Sequence, residues 1–257
     1  MTLTMSAEHV KKWEKFLKKH SLDETWLWQY WRDESRPQSQ LNKKLLNRFD
    51  TRLKAQKKVK GLIRNGIPPE HRGAVWWACS GGAYKMTAAH ETGYTFVSYL
   101  RLAQSSENPA EHDIMKDLHR TFPTDDELHQ EGVEPLRRVL LAYSIRNREV
   151  GYCQSMNFLV ALLLTMLDEE QAFWVLAALV EDILPRNYYT TSMIGCRVDQ
   201  AVFQSCLAWK LPRIFSHLRE LEMILEPVTC PWFLCMYINV LPVHCKCSPP
   251  PIPPPCL

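Results

Sequence analysis

Residues 136–164 read LRRVLLAYSIRNREVGYCQSMNFLVALLL, and their periodicity decides the fold class. Leu136, Val139, Leu140 and Tyr143 recur at intervals of three and four, one face of a helix, while Arg137, Arg138 and Arg146 point elsewhere. Glu134-Pro135 opens this helix, because a proline at the first helical position sacrifices no bonded N–H. The segment Gly151-Tyr152-Cys153-Gln154-Ser155-Met156-Asn157 interrupts the pattern as a loop. Beyond it, residues 157–184 are the most apolar part of the chain, broken by Asp168-Glu169-Glu170-Gln171. An apolar run, a polar break and a second apolar run predict two buried core helices joined by a tight acidic cap. Each half falls well short of the ~20 residues that a membrane span needs.

The same spacing continues outward in both directions. Val10, Trp13, Phe16 and Leu17 predict an N-terminal helix. A second helix capped by Ser21 or Asp23 carries Trp26, Leu27 and Trp31, and Leu41, Leu45, Leu46, Phe49 and Leu53 continue the period. Asn65-Gly66 is a turn; Pro68-Pro69 starts a helix carrying Val75, Trp76 and Trp77, which Gly81-Gly82 ends. Ser105 to Glu111 and Thr121 to Glu127 read as loops. Toward the C-terminus the pattern predicts helices over residues 198–207, 211–225 and 232–240. The fold class is therefore all-α. Residues 248–257, SPPPIPPPCL, hold six prolines in ten and read as extended polyproline or disorder, with an SH3 or WW partner as a weak option.

Composition narrows the function classes. Of 257 residues, 31 are Lys or Arg and 28 are Asp or Glu, a formal net charge of +3 that is too balanced for nucleic-acid binding through bulk charge. No secretory signal opens the chain, and nine scattered cysteines read as reduced thiols of a cytoplasmic protein. His244, Cys245 and Cys247 lack a second ligand pair, so no metal is expected. There is no G-x-x-x-x-G-K-[ST] loop, no H-E-x-x-H and no G-x-S-x-G. The chain carries no nucleotide site of its own.

Three segments put polar residues where a helical pattern does not ask for them. In Gly66-Ile67-Pro68-Pro69-Glu70-His71-Arg72-Gly73-Ala74-Val75-Trp76, Arg72 and Trp76 lie four apart, a spacing that fits a packed pair orienting the helix. In Ile114-Met115-Lys116-Asp117-Leu118-His119-Arg120-Thr121-Phe122-Pro123, Asp117 and Arg120 are three apart and can pair at a helix end. By itself such a pair is usually a solvated face. In the Tyr152–Asn157 loop, Gln154 and Asn157 are amides at the mouth of the apolar stretch, and alone they read as helix caps as readily as chemistry.

In this order, R-x-x-x-W, I-x-x-D-x-x-R-T-F-P and G-Y-C-Q-x-M-N resemble the TBC domain of Rab GTPase-activating proteins, over residues 61–244 or roughly seven-tenths of the chain. The resemblance implies a V-shaped, all-helical domain, preceded by a helical extension at residues 1–60 and followed by a Pro-rich tail at 245–257. It implies a Rab-family partner that brings GTP and Mg²⁺, and an arginine and a glutamine supplied in trans, here Arg120 and Gln154. Asp117 would orient Arg120 and Tyr152 would shape the glutamine loop, with Arg72, Trp76 and Asn157 in support. Any membrane association would come through partners, with recruitment to endomembranes from the cytoplasm.

Two departures from the family pattern stand out. Ser155 sits where the family often has glycine, which would strain the backbone if φ is positive there. After Leu241-Pro242-Val243-His244 the expected further helices are missing, which implies an incomplete C-terminal lobe with uncovered apolar faces on the helices at 198–207 and 232–240. The alternative to a catalytic activator is therefore a GTPase-binding or scaffold module of impaired activity.

Overall fold

Trp13 and Phe16, the centre of the N-terminal stripe, are 0% and 1% exposed. They lie in a computed structural model that describes residues 5–20, 57–121, 127–238 and 240–241. Helix α1 (Ala7–Lys19) begins at Ser6, whose hydroxyl accepts from the His9 N–H. Glu8 in its first turn and Lys18 and Lys19 in its last complement the helix dipole. Its apolar face packs on helix α2 (57–64) and on the following turn, in a core of Trp13, Phe16, Val59, Leu62, Ile67, Val75 and Ala78. The Trp13 indole donates to the Gly66 carbonyl at 3.0 Å, so the Asn65-Gly66 turn is fastened as well as formed. A 3₁₀ turn (Pro69–His71) leads into α3 (Arg72–Ser80), as the double proline predicts.

Gly81 ends α3 in the left-handed conformation at φ +89°, but Gly82 does not share that role. It starts a new helix, α4 (Gly82–Thr92). Then come α5 (Phe96–Ser105), capped by Thr95 accepting from the Ser98 N–H, and α6 (Glu111–Thr121). Helix α4 lacks a single apolar stripe, whereas α5 carries one at Phe96, Tyr99, Leu100 and Ala103. The predicted helices around 21–53, the interior of the 121–127 loop, and the tail with its Pro-rich stretch and His244, Cys245 and Cys247 lie outside the described residues. The described chain forms two units, one ending at Tyr84 and one spanning Lys85–Leu241.

The second unit is organised around α7 (Glu127–Arg146). This helix starts seven residues before the predicted Glu134-Pro135 opening and carries Pro135 inside it. Leu136, Val139, Leu140 and Tyr143 are at most 1% exposed, as the stripe requires. Leu141 and Ala142 are buried too, because helices cover α7 from several sides: α5, α6, α8 (Met156–Leu164) and α9 (Glu169–Ala178) all pack against it. The two core helices α8 and α9 are joined as predicted, with the Asp168 carboxylate accepting from the Gln171 N–H at 2.8 Å. Helix α9 runs on into a π turn (Leu179–Ile183).

The arginines of α7 lie off the buried stripe, as expected, and there they reach carboxylates of neighbouring elements. Arg138 forms a forked pair with Glu169 at 2.8 and 2.5 Å, and Arg137 reaches Glu111 at 3.3 Å. Arg146 is mostly enclosed: its guanidinium takes Glu181 through two bonds of 2.9 Å and lies over the Trp174 and Tyr99 rings. Lys85 joins from α4, 2.7 Å from Glu181 and 3.0 Å from Asp182. The π turn supplies both carboxylates, so the network locks the end of α9 to α7 and α4.

The C-terminal helices are α10 (Ile194–Lys210), α11 (Pro212–Glu220) and α12 (Glu226–Leu234). Helix α11 stops before the predicted 225 because Glu222 takes a left-handed conformation, φ +51°. Helix α12 lies six residues earlier than the 232–240 expectation: Pro227 starts it and single turns follow Cys235. Among the described residues no strand occurs, and no helix is long and apolar enough to cross a membrane.

Candidate functional site

Helix α6 buries Ile114, Asp117 and Leu118 on one face and leaves Arg120 on its open last turn. A carboxylate with only 6% of its side chain exposed needs partners, and Asp117 has two. One oxygen takes the Arg120 guanidinium; the other accepts the Tyr152 hydroxyl at 2.7 Å. The Arg120 side chain itself is 62% exposed. One terminal nitrogen of the guanidinium is held by Asp117 while most of the side chain remains accessible.

The loop between α7 and α8 is built by local bonds. The Asn147 side chain accepts from the Val150 N–H at 3.2 Å, and Gly151 turns the chain at φ +57°. Ser155 then adopts φ +95° and ψ −21° at the start of α8, a conformation that costs a non-glycine residue on the order of 1–3 kcal/mol. The strain anticipated for Ser155 is present. Between these points Gln154 is exposed.

A second set of bonds ties the loop to α6. The Thr121 hydroxyl donates to the Asp117 carbonyl at 2.7 Å and accepts from the Asn157 side-chain amide at 2.8 Å. Asn157, 1% exposed, uses its carbonyl oxygen to hold the Ser155 N–H at 3.1 Å. Asn157 therefore does cap the turn into its own helix, and it also fastens that turn to the arginine helix. Arg120 and Gln154 lie 34 positions apart in sequence, yet they rise from two elements joined by Asp117–Tyr152 and Thr121–Asn157. The bridging role of Thr121 escaped the sequence reading; a hydroxyl directly after an arginine at a helix end was its only signal.

Electrostatics keep this support in one protonation state. Burial, then the bond to Asp117, pushes the Tyr152 phenol far above its ordinary range, so it remains a donor. Burial pushes the Cys153 thiol up to about 11, so at neutral pH it is held mainly in the protonated form. Arg72 and Trp76 belong to the first unit. Arg72 Nε donates to the Ile67 carbonyl at 3.1 Å, and Trp76 packs against the first core with its indole N–H buried and unpartnered among the described residues. Among the described residues no cluster of three metal-ligating side chains occurs.

Comparison with known proteins matches residues 69–248 to the family model of the Rab-GTPase-TBC domain. TBC1 domain family member 2B of Mus musculus is 42% identical over 185 residues, which are 70% of this chain and 19% of that protein. The chain thus spans about a fifth of that relative's length. The crystal structure of the Chlamydomonas flagellar RabGAP TBC domain superposes with a TM-score of 0.66 at 29% identity, over 96% of this chain and 75% of the other. The Ypt/Rab-GAP domain of Gyp1p has the same fold, with a TM-score of 0.56 at 20% identity over 70% and 68% of the two chains.

Proposed function

The chain belongs to the Rab-GTPase-TBC domain family, and on that premise we propose that it accelerates GTP hydrolysis by a Rab-family GTPase, with Arg120 and Gln154 entering the partner's active site in trans. The observation that carries this is the shared anchoring of two outward polar side chains, one through Asp117 and one through the Tyr152–Asn157 loop. In phosphoryl transfer, charge spreads over the transferring oxygens, and a planar guanidinium placed there stabilises it. Such a group is worth roughly 10³–10⁵ in rate, or about 4–7 kcal/mol of barrier. A carboxamide offers both a donor and an acceptor, which suits Gln154 to orienting the attacking water without acting as a strong base. Tyr152 and Asp117 are positioning residues, because they act through Arg120. GTP and Mg²⁺ come with the partner.

The test is single-turnover GTP hydrolysis across a panel of Rab proteins, comparing wild type with Arg120→Ala and Gln154→Ala. Acceleration of at least one Rab, lost in both variants, is the expected result. A second reading is binding without acceleration, favoured by the open apolar side chains of α10 and α12, Val198, Val202 and Val228 among them. Rab proteins that bind the chain at unchanged hydrolysis rates would establish that reading and end the first.

A further inference from the structure

Four thiols of the second unit gather beside the glutamine loop. Cys153 lies in the loop, Cys196 in α10, Cys230 in α12 and Cys235 at the end of α12. Helices α10 and α12 pack together and bring Cys196 Sγ to 3.8 Å from Cys230 Sγ. Just past the C-terminus of α12 the Cys235 thiol is hydrogen-bonded to Ser155, the strained residue next to Gln154. One helix thus touches a second thiol at its middle and the glutamine loop just past its C-terminus.

We propose that Cys196 and Cys230 are a peroxide-oxidisable pair, and that their disulfide fixes α12 and so restrains the glutamine loop through Cys235 and Ser155. A disulfide bond is about 2.05 Å long, so the sulfurs must close by roughly 1.8 Å, within the reach of side-chain rotation plus a small helix adjustment. Exposure sets the order of events. Cys230 is partly exposed and meets the oxidant first, whereas Cys196 is 1% exposed and completes the bond. The Cys230 sulfur attacks a peroxide oxygen; an S–O bond forms, the O–O bond breaks, and one water leaves. The Cys196 sulfur then attacks the resulting sulfenic acid, the S–S bond replaces S–O, and a second water leaves with the two thiol protons accounted for. The two cysteines lose two electrons and hydrogen peroxide gains them; a dithiol reverses the reaction.

The whole chain is treated with hydrogen peroxide, its remaining thiols are alkylated, and it is digested without reductant for mass mapping. A peptide pair joining Cys196 to Cys230 is expected, reversed by dithiothreitol and absent from Cys230→Ser and from Cys196→Ala. Amide exchange of the peptide covering residues 152–158 should slow several-fold on oxidation of the wild type and stay unchanged in either variant. Thiols consumed without that pair, Cys230 linked to Cys153 or to a tail cysteine, or a linked protein with unchanged loop exchange would each overturn the proposal. None of these readouts involves GTP hydrolysis, so the outcome is independent of the proposed activity.

Discussion

At the scale of single residues, the proposed role of Arg120 makes geometry matter more than charge. Arg120 is held by one edge and presents a planar fork, so Arg120→Lys should be nearly as damaging to stimulated GTP hydrolysis as Arg120→Ala, on the order of 10³-fold. A lysine variant with near wild-type stimulation would remove Arg120 from the role. Tyr152→Phe strips a buried carboxylate oxygen of its donor and should cost about 1–3 kcal/mol in chemical denaturation, together with a lower stimulated rate. Ser155 invites the opposite experiment. Glycine adopts φ +95° without steric cost, so Ser155→Gly should raise stability by about 0.5–1 kcal/mol even though it surrenders the Cys235 contact. A lower melting temperature for the glycine variant would refute the strain.

Among the elements, the junction of α4, α7 and the π turn after α9 holds a partly buried charge network. Glu181 faces Lys85 and Arg146, with Asp182 alongside on Lys85. Burial alone would push the Glu181 carboxyl up, but the Arg146 bonds and the Lys85 charge outweigh it and hold the carboxyl below the usual value of 4.5. A depressed carboxyl contributes stability that is complete above its unfolded value and disappears as pH falls through its folded value. Melting temperature should therefore decline below about pH 4.5, with a shallower decline in Glu181→Gln, where that proton no longer counts. At neutral pH, Glu181→Ala should cost about 2–3 kcal/mol, because it strands Arg146 between two rings without a carboxylate. Identical acid slopes for wild type and the glutamine variant would contradict this account.

On the scale of the whole molecule, the C-terminal helices keep apolar surface in water. Ile194, Val198, Val202 and Trp209 share one stripe of α10 and are 49%, 54%, 55% and 73% exposed, and Ile214 of α11 and its flanking Leu211 and Leu221 are exposed as well. Contiguous apolar surface of this kind drives association. Sedimentation should show self-association that rises with protein concentration, and Val202→Lys with Trp209→Lys should reduce it without lowering the melting temperature. A strictly monomeric wild type at high concentration would show that the stripe is tolerated in water.

The sequence by itself determined the all-α class, the burial of α8 and α9 and the acidic cap between them, because periodicity and capping residues are local properties of the chain, and the family resemblance of its short motifs named Arg120 and Gln154 as candidates. It did not reveal that α7 begins at Glu127, since a proline in a first turn and one inside a helix look alike in one dimension. Nor did it reveal that Arg146 is enclosed, which required Glu181 and the Trp174 ring to arrive from another helix. Only the tertiary structure could join Asp117 to Tyr152 and Thr121 to Asn157, contacts between residues 35 and 36 positions apart. Those bonds exist because α6 and α8 pack side by side on α7, and packing is a property of whole helices rather than of any stretch of sequence.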